Sequence, residues 1–523
     1  MGASSPSGTK PSRSKSAFRT KSVEQSIRDT DDPEHGLKRA LSALDLTVFG
    51  VGVIIGTGIF VLTGTVARDT AGPAVALSFI ASGVVCALAA LCYAEFSSTV
   101  PVAGSAYTFA YTSIGELPAW IIGWDLILEL ALGAAVVAVG WSGYVQSLLA
   151  SADVTLPSAL NGGTEDDWGF NLPATLLVLA LTAILVYGVK LSSRFTAIIV
   201  AIKVTAVLLV IFAGMFFIKA DNYSPFIPDK QPPEDANGGL KQPLIEWISG
   251  FEASTFGVMG IFFGAATVFF AYIGFDIVAS AAEETKKPQR DLPIGILGSL
   301  AICTVLYVAV SLVVTGMQHY SELSTDAPLS DAFKATGHGN WAWVINTGAV
   351  AGLTSVTMIM LLGQSRVFFA MSRDGLLPKF FGETHPVYRT PYRSTIALGT
   401  VVAVVAGLIP LKQLAELVNI GTLFAFVVVS IGVIILRRTR PDLPRSFRTP
   451  WVPYLPIASV LACLWLMVNL PVETWWRFLV WMAAGFVIYF AYSRKHSRMG
   501  RPPAGSPPRP DGAAEQRNTP ELL

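Results

Sequence analysis

The chain has 523 residues, of which 52% are hydrophobic and only 14% are charged, and its mean hydropathy is +0.55. These values differ from those of an average soluble domain and indicate a membrane protein with several spans. A formal net charge of +1 argues against nucleic acid as a partner. The four cysteines lie in apolar runs without metal-ligand or disulfide spacing, so we predict no metal and no cofactor.

Residues 1–40 are polar and rich in Ser, Lys and Arg, which predicts a disordered cytoplasmic N-tail. Apolar runs follow, most of them close to the 20 or so residues that a helix needs to cross the hydrocarbon core. We predict an all-α integral membrane protein with twelve transmembrane helices at 44–66, 72–96, 117–150, 171–190, 194–219, 254–282, 292–317, 341–371, 394–410, 413–437, 451–471 and 474–493. Residues 494–523 are basic and then rich in proline, which predicts a disordered cytoplasmic C-tail.

Three glycines interrupt the first predicted span, which contains the sequence VGVIIGTGIF at Val51–Phe60. Gly52, Gly56 and Gly58 fall near its middle, where each glycine costs a helix about 1 kcal/mol relative to alanine. The glycines either allow another helix to approach closely or mark an unwound turn inside the membrane.

A second interruption favours the unwound turn. The apolar run Ala253–Phe275 ends in FFAYIGFD, with Gly274 and Asp276 where a spanning helix should continue. Broken spans at corresponding positions in two halves of a chain are typical of transporters with inverted repeats. With five spans in each half, the chain divides into a first repeat at 41–220, an extracellular loop at 221–253, a second repeat at 254–437, and helices eleven and twelve at 438–493.

The distribution of basic residues predicts the orientation. Of the 37 Lys and Arg residues, 29 fall on one side of the predicted spans and only seven on the other. Basic loops face the cytoplasm in most membrane proteins. We therefore predict a multi-pass protein of the plasma membrane with both termini in the cytoplasm.

Five motifs occur in the same order as in a known family. They are GTGIFVLTG in span one, YAEFSSTVPVAGSAYTFAY after span two, GWDLILE in span three, FFAYIGFDIVASAAEETKKPQRDLPIGI across span six, and GQSRVFFAMSRDGLLPKFFGETHPVYRTP after span eight. From about Leu41 to Arg448 the chain resembles the amino acid-polyamine-organocation (APC) superfamily and, more narrowly, a bacterial member of its cationic amino acid transporter branch. The resemblance implies a LeuT-like fold with a 5+5 inverted repeat and an amino acid permease that works by alternating access. An enzyme is not expected.

The resemblance also implies a binding site made largely of main chain, because half-helix ends supply N–H donors for a carboxylate and carbonyl acceptors for an ammonium group. The N–H groups of Gly56, Thr57 and Gly58 would hold the substrate carboxylate. The carbonyls of Ile54, Phe270, Ala271 and Ile273 would hold the ammonium group. Phe270 or Tyr272 either closes over the substrate or belongs to the packed core.

Lys203 and Glu129 lie deep in predicted spans and are candidates for proton coupling. By resemblance, Lys203 takes the place of a sodium ion and faces carbonyls near the break in span one; the alternative is a purely structural lysine. Glu129 either belongs to the proton path or makes a structural hydrogen bond. We expect Asp276 to bond exposed backbone in span six. Asp125 and Glu95 lie toward span ends, where we expect pairing in a cytoplasmic gate or loop.

Substrate class follows from the charges near the expected side-chain pocket. A lysine or arginine carrier needs an acid to pair with the substrate side chain, and we find none to spare. The predicted wall in span eight, Thr354, Ser355 and Met358, is neutral. We therefore predict proton-coupled symport of small neutral L-amino acids such as alanine, with amino acid, protons and the lipid bilayer as partners. The alternatives are a cationic amino acid transporter and a facilitative uniporter or exchanger.

Overall fold

The computed structural model describes residues 40–100, 105–163, 168–188, 193–232, 239–252, 254–388 and 390–497. The predictions of disorder for 1–39 and 498–523 lie outside these residues. Residues 494–497, which the sequence places in the disordered C-tail, are described: a helical turn covers Arg494–His496, and Ser497 is buried.

Helices make up nearly all of the regular structure. The α-helices, numbered in chain order, are α1 Ala43–Ile54, α2 Thr63–Val66, α3 Val75–Thr99, α4 Ser105–Ser113, α5 Glu116–Ala150, α6 Leu172–Tyr187, α7 Ser193–Gly214, α8 Leu244–Ser249, α9 Gly257–Val268, α10 Phe275–Ser280, α11 Pro288–Met317, α12 Pro328–Ala335, α13 Gly339–Arg373, α14 Tyr392–Leu408, α15 Leu411–Thr439, α16 Tyr454–Val468, α17 Val472–Ile488 and α18 Arg494–His496. Single turns of 3-10 helix cover Gly72–Ala74, Ser158–Leu160, Met215–Phe217, Ala220–Tyr223, Phe269–Tyr272, Ala281–Glu284, Tyr320–Glu322 and Lys379–Gly382, and π-helical turns cover Gly58–Leu62, Ala67–Ala71 and Tyr489–Ser493. Strands β1 Asn161–Gly163 and β2 Trp168–Asn171 pair antiparallel.

Eight helical stretches are long and apolar enough to cross a membrane. They are Gly58–Thr99, Glu116–Ala150, Ala197–Phe217, Gly257–Ala279, Pro288–Met317, Gly339–Arg373, Leu411–Thr439 and Val472–His496. Four shorter apolar helices, α1, α6, α14 and α16, accompany them. The described residues thus form a multi-pass helical protein, and the count of twelve spans and the inverted repeat stay predictions.

Both predicted helix breaks are present. Helix α1 ends at Ile54, Ile55 adopts an extended conformation, and helical structure resumes at Gly58. In the second break, α9 gives way to a 3-10 turn, Ile273 is extended, and Gly274 has a φ of 123° before α10 begins. Only glycine adopts that φ without strain, which explains Gly274 at this position.

The broken segments lie inside the bundle. Helix α1 contacts α7, α11 and α13, while α10 contacts α3, α4 and α11, and the long helices α5 and α13 pack along each other. Beside the breaks, Val53, Leu130, Ile277 and Ile359 form a small buried cluster at which α1, α5, α10 and α13 meet. We call these four residues the apolar plug.

Candidate functional site

The two helix breaks touch each other in the protein interior. A Cβ placed on Gly58 would overlap the Cα and Cβ of Ala271, so the backbones of the two breaks are in direct contact. The structure therefore brings together all eight residues predicted to bind substrate, and all eight are buried. Their role in binding stays a prediction.

The first break ends in a helix start that points donors into the interior. Gly56, Thr57 and Gly58 form the first turn of the second half-helix, whose N–H groups have no intrahelical carbonyl one turn earlier. The hydroxyl Oγ1 of Thr57 is buried and has no hydrogen-bond partner among the described residues. Because buried polar groups normally have a partner, a ligand that accepts a hydrogen bond here would satisfy it.

Tyr307 of α11 joins the two breaks, and the sequence analysis missed it. Its hydroxyl lies 2.7 Å from the carbonyl oxygen of Ile54 and 2.7 Å from that of Ala271. Phe270 O accepts from the N–H of Ile273 at 3.2 Å. A carbonyl oxygen has two lone pairs, so each of these acceptors can still receive a hydrogen bond from a substrate ammonium group. The only sequence signal for Tyr307 was a hydroxyl in an apolar run, and the same run also carries Thr304 and Ser311.

Lys203 of α7 reaches the end of the first half of span one. Its ammonium group donates to the carbonyl oxygen of Gly52 and, at 3.2 Å, to that of Ile55. Its side chain is fully buried, and Gly352 of α13 lies against its alkyl chain. The predicted geometry of Lys203 is confirmed, and its part in proton coupling stays a prediction. The helix C-terminus stabilises the positive charge, because its last carbonyls carry the negative end of the helix dipole.

Glu129 lies in α5, whose later residue Gly140 packs against Thr57 of the first break. It is buried, and its Oε1 has no hydrogen-bond partner among the described residues. As predicted, Asp276 accepts a hydrogen bond from exposed backbone in span six, through the N–H of Gly274 at 3.3 Å. The part of Glu129 in the proton path stays a prediction.

The predicted pairing is present for Glu95 but not for Asp125. Glu95 accepts two hydrogen bonds from Arg437, at 2.8 and 2.6 Å, and one from the N–H of Thr449, so its predicted pairing is confirmed. Asp125 is fully buried, and neither carboxyl oxygen has a hydrogen-bond partner among the described residues. The prediction that Asp125 pairs in a gate or loop is wrong, because Asp125 lies about 14 Å along α5 from its first residue and does not reach the loops.

The aromatic residues of the second break have different surroundings. The Tyr272 hydroxyl donates to the carbonyl of Phe79 in α3 at 2.8 Å, and its ring packs edge-on against Tyr307 at 5.3 Å. These contacts place Tyr272 in the packed core, which was the alternative to closing over the substrate. Phe270 is 4% exposed and stays the candidate for closing over the substrate.

Span eight presents an apolar face to the first break. A Cβ at Gly56 would lie 3.5 Å from Val356, in ordinary van der Waals contact. Met360 follows one helical turn later, and its sulfur would lie 2.9 Å from a Cβ at Gly133 of α5. Residues four apart share a helix face. Val356 therefore faces the first break, and Met360 continues the same apolar face of α13 toward α5.

The span-eight residues chosen from sequence have other positions. Thr354 and Met358 lie two residues from Val356, which is about 200° around the helix axis, and so they face away from Gly56. The hydroxyls of Thr354 and Ser355 donate at 2.7 Å to carbonyls of their own helix, those of Val350 and Gly352. The structure does not bring Thr354 or Met358 to the site, since a shift of one or two residues in register rotates the chosen face.

Many apolar helices, two of which are broken and meet in the protein interior, are typical of secondary transporters. Comparison with known proteins agrees with this class. The family model described as amino acid permease matches residues 41–491. The chain is 48% identical to the methylthioribose transporter of Bacillus subtilis (strain 168), over 93% of this chain and 100% of the relative.

Two further relatives are named for the transport of amino acids. The branched-chain amino acid permease BcaP of Bacillus subtilis (strain 168) is 48% identical, over 93% of this chain and 99% of the relative. A vacuolar protein of Arabidopsis thaliana, cationic amino acid transporter 4, is 40% identical, over 82% of this chain and 68% of the relative. The chain belongs to the amino acid permease family of the APC superfamily, which is a family of transporters.

Proposed function

We propose that this protein is a proton-coupled symporter of neutral L-amino acids, from alanine to the branched-chain residues. It would work by alternating access across the plasma membrane, with twelve spans, a LeuT-like inverted repeat and both termini in the cytoplasm. The observation that carries this proposal is the contact between two helix breaks that offer main-chain donors and acceptors at one buried place.

Main chain suffices to recognise the part that all amino acids share. The N–H groups of Gly56, Thr57 and Gly58 suit a carboxylate, since a helix N-terminus carries free donors and a partial positive charge. The carbonyls of Ile54 and Ala271 suit an ammonium group, and Tyr307 holds both in place at 2.7 Å. The distance between these two sets of groups would make the site selective for α-amino acids.

The side-chain pocket supports neutral substrates. Val356 and Met360 supply an apolar wall, and an arginine or lysine side chain would bring a charge there without a carboxylate partner. The branched-chain amino acid permease BcaP of Bacillus subtilis is 48% identical to this chain over 99% of its own length. Its name extends the expected substrate range from alanine to leucine, isoleucine and valine. Transport of cationic amino acids is the alternative, since other relatives are named for it.

Lys203 supports the proton coupling. When charged, its ammonium group holds the end of α1 through the carbonyls of Gly52 and Ile55. Loss of one proton removes the charge, and a neutral donor bonds carbonyls only about half as strongly. The half-helix would then be freer to move, so the protonation of Lys203 would be linked to the opening of the site.

The test uses the full-length protein in proteoliposomes without sodium. We expect a pH gradient, acidic outside, to drive accumulation of radiolabelled L-alanine and L-leucine above equilibrium, and a protonophore to abolish it. Equilibration without accumulation would indicate a facilitator, and accumulation only with sodium would refute proton coupling.

A competition screen identifies the substrate. We expect unlabelled neutral L-amino acids to displace labelled leucine, and arginine and D-leucine to fail. 5-Methylthioribose belongs in the same screen because of the relative named for it. It has neither carboxylate nor ammonium group, so strong competition by methylthioribose, or by arginine alone, would contradict the proposed main-chain recognition.

A further inference from the structure

Three acidic side chains lie together inside the helix bundle. Asp125 and Glu129 are one turn apart on the same face of α5, and Asp276 is in the first turn of α10. All three are buried, and the residues that follow Glu129 and Asp276, which are Leu130 and Ile277, belong to one buried cluster. The titratable Tyr93 of α3 is buried as well, and its ring packs edge-on against Phe275, which precedes Asp276.

Asp125 is the member of this cluster whose two carboxyl oxygens both lack a hydrogen-bond partner among the described residues. Its carboxyl packs against the backbone of α15, where a Cβ at Gly421 would lie 2.6 Å from Oδ1. Glu129 lies one helical turn after Asp125, so both carboxyl groups are on the same face of α5. Neither oxygen of Asp125 has a hydrogen-bond or ion-pair partner in the part of the chain that the structure describes.

A buried carboxylate without a partner costs several kcal/mol, so Asp125 carries a proton when the site is closed. A structural carboxyl group would instead accept hydrogen bonds, as Glu95 and Asp276 do. A neutral acid with both oxygens unengaged can receive a proton on one side and release one on the other. This is the chemistry of a proton relay.

The apolar plug explains why such a relay stays closed. Leu130 follows Glu129 directly, and Ile277 follows Asp276, so the plug is built from the sequence neighbours of two of the three acids. It joins the broken helices, through Val53 and Ile277, to α5 and α13. If the broken helices move away from α5 and α13 during alternating access, these four side chains would separate and water could enter beside the acids.

We propose that Asp125 is the cytoplasmic station of the proton path, which connects Glu129 to the cytoplasm. When the plug opens, Asp125 gives its proton to water and becomes a carboxylate. The proton of Glu129 then moves to Asp125, which leaves Asp125 neutral and Glu129 as a carboxylate. Glu129 receives the next proton from the extracellular side, so one proton enters the cytoplasm per cycle. The inference rests on the proposed proton symport and adds Asp125 to its proton path.

The test compares Asp125→Asn with wild type in proteoliposomes loaded with L-leucine. Exchange of internal leucine for labelled leucine needs no net proton movement, so we expect the variant to keep it within about twofold. Accumulation driven by the pH gradient should fall about tenfold or more, because amide cannot carry the proton. Asp442→Asn is the matched control, since Asp442 is exposed and pairs with Arg440 in a loop.

Other outcomes overturn the inference. Normal accumulation by Asp125→Asn would show that protons do not pass through Asp125, and loss of exchange in a folded variant would assign Asp125 to substrate movement instead. A separate measurement covers a variant that does not fold. Infrared spectroscopy of wild type at neutral pH should show a protonated-carboxyl C=O band that shifts in Asp125→Glu, and an unshifted spectrum would refute the neutral acid.

The accumulation assay also separates this inference from the proposed function. If wild type accumulates nothing under a pH gradient, the proposed symport fails. If wild type accumulates leucine and Asp125→Asn does so equally, only the relay fails.

Discussion

Gly58→Ala probes the contact between the two helix breaks with the smallest possible change. The added methyl group would overlap the Cα and Cβ of Ala271, and ordinary contacts to a Cβ lie at 3.4–4 Å. The overlap involves backbone, which cannot rotate away as a flexible side chain does. The two breaks would have to separate by on the order of 1 Å, and overpacking of this kind costs about 1–3 kcal/mol.

Separation of the breaks also moves donors and acceptors apart. In the proposed site, the carboxylate donors belong to one break and most of the ammonium acceptors to the other, so a ligand would no longer reach both with good geometry. A loss of 1.4 kcal/mol in binding is tenfold in affinity, and we expect a loss of about tenfold or more. Gly58→Val adds a β-branched side chain in the same place and should abolish binding.

Gly56→Ala is the matched control, since it adds the same methyl group two residues away. Its Cβ would lie 3.5 Å from Val356, an ordinary contact, so the ligand-free protein should keep its melting temperature. The assay is thermal unfolding in detergent, without ligand and with rising L-leucine. Equal stability of ligand-free Gly58→Ala and wild type would refute the contact, and a larger loss in Gly56→Ala would refute the assigned packing.

Three further predictions use other parts of the site. Lys203→Ala should abolish accumulation driven by a pH gradient while the protein still folds, and normal accumulation in proteoliposomes would exclude Lys203 from coupling. Tyr307→Phe leaves the carbonyls of Ile54 and Ala271 without the hydroxyl and should lower the free energy of unfolding by about 1–3 kcal/mol, measured by thermal melting against Tyr454→Phe, whose tyrosine is 77% exposed. Glu95→Gln removes the charge that pairs with Arg437 and Arg445, and because Glu95 is buried we expect a loss of about 3 kcal/mol or more. An unchanged melting curve for Glu95→Gln would show that this ion pair does not stabilise the fold.

The sequence by itself determined the membrane class, the positions of the two breaks and the family. Hydropathy is a local property, and a run of apolar residues has the same meaning wherever its helix packs. The breaks could be located for a similar reason, because a glycine affects the backbone conformation at its own position, as Gly56, Gly58 and Gly274 do. Lys203 could be recognised from the sequence because a charged residue within an apolar span must bind a polar partner inside the protein.

Only the tertiary structure decided which groups face one another. Tyr307 lies more than 30 residues from Ala271 and more than 250 from Ile54, and nothing local marks it as the residue that joins them. The face of span eight depends on helix rotation, where each residue turns the side chain by 100°, so Val356 replaced the residues chosen from sequence. Asp125 was expected to pair near a span end, but it has no hydrogen-bond partner among the described residues, because the groups beside it depend on which helices surround α5. Contacts between distant residues arise only when the helices pack, and one sequence read along its length does not contain their rotation or their neighbours.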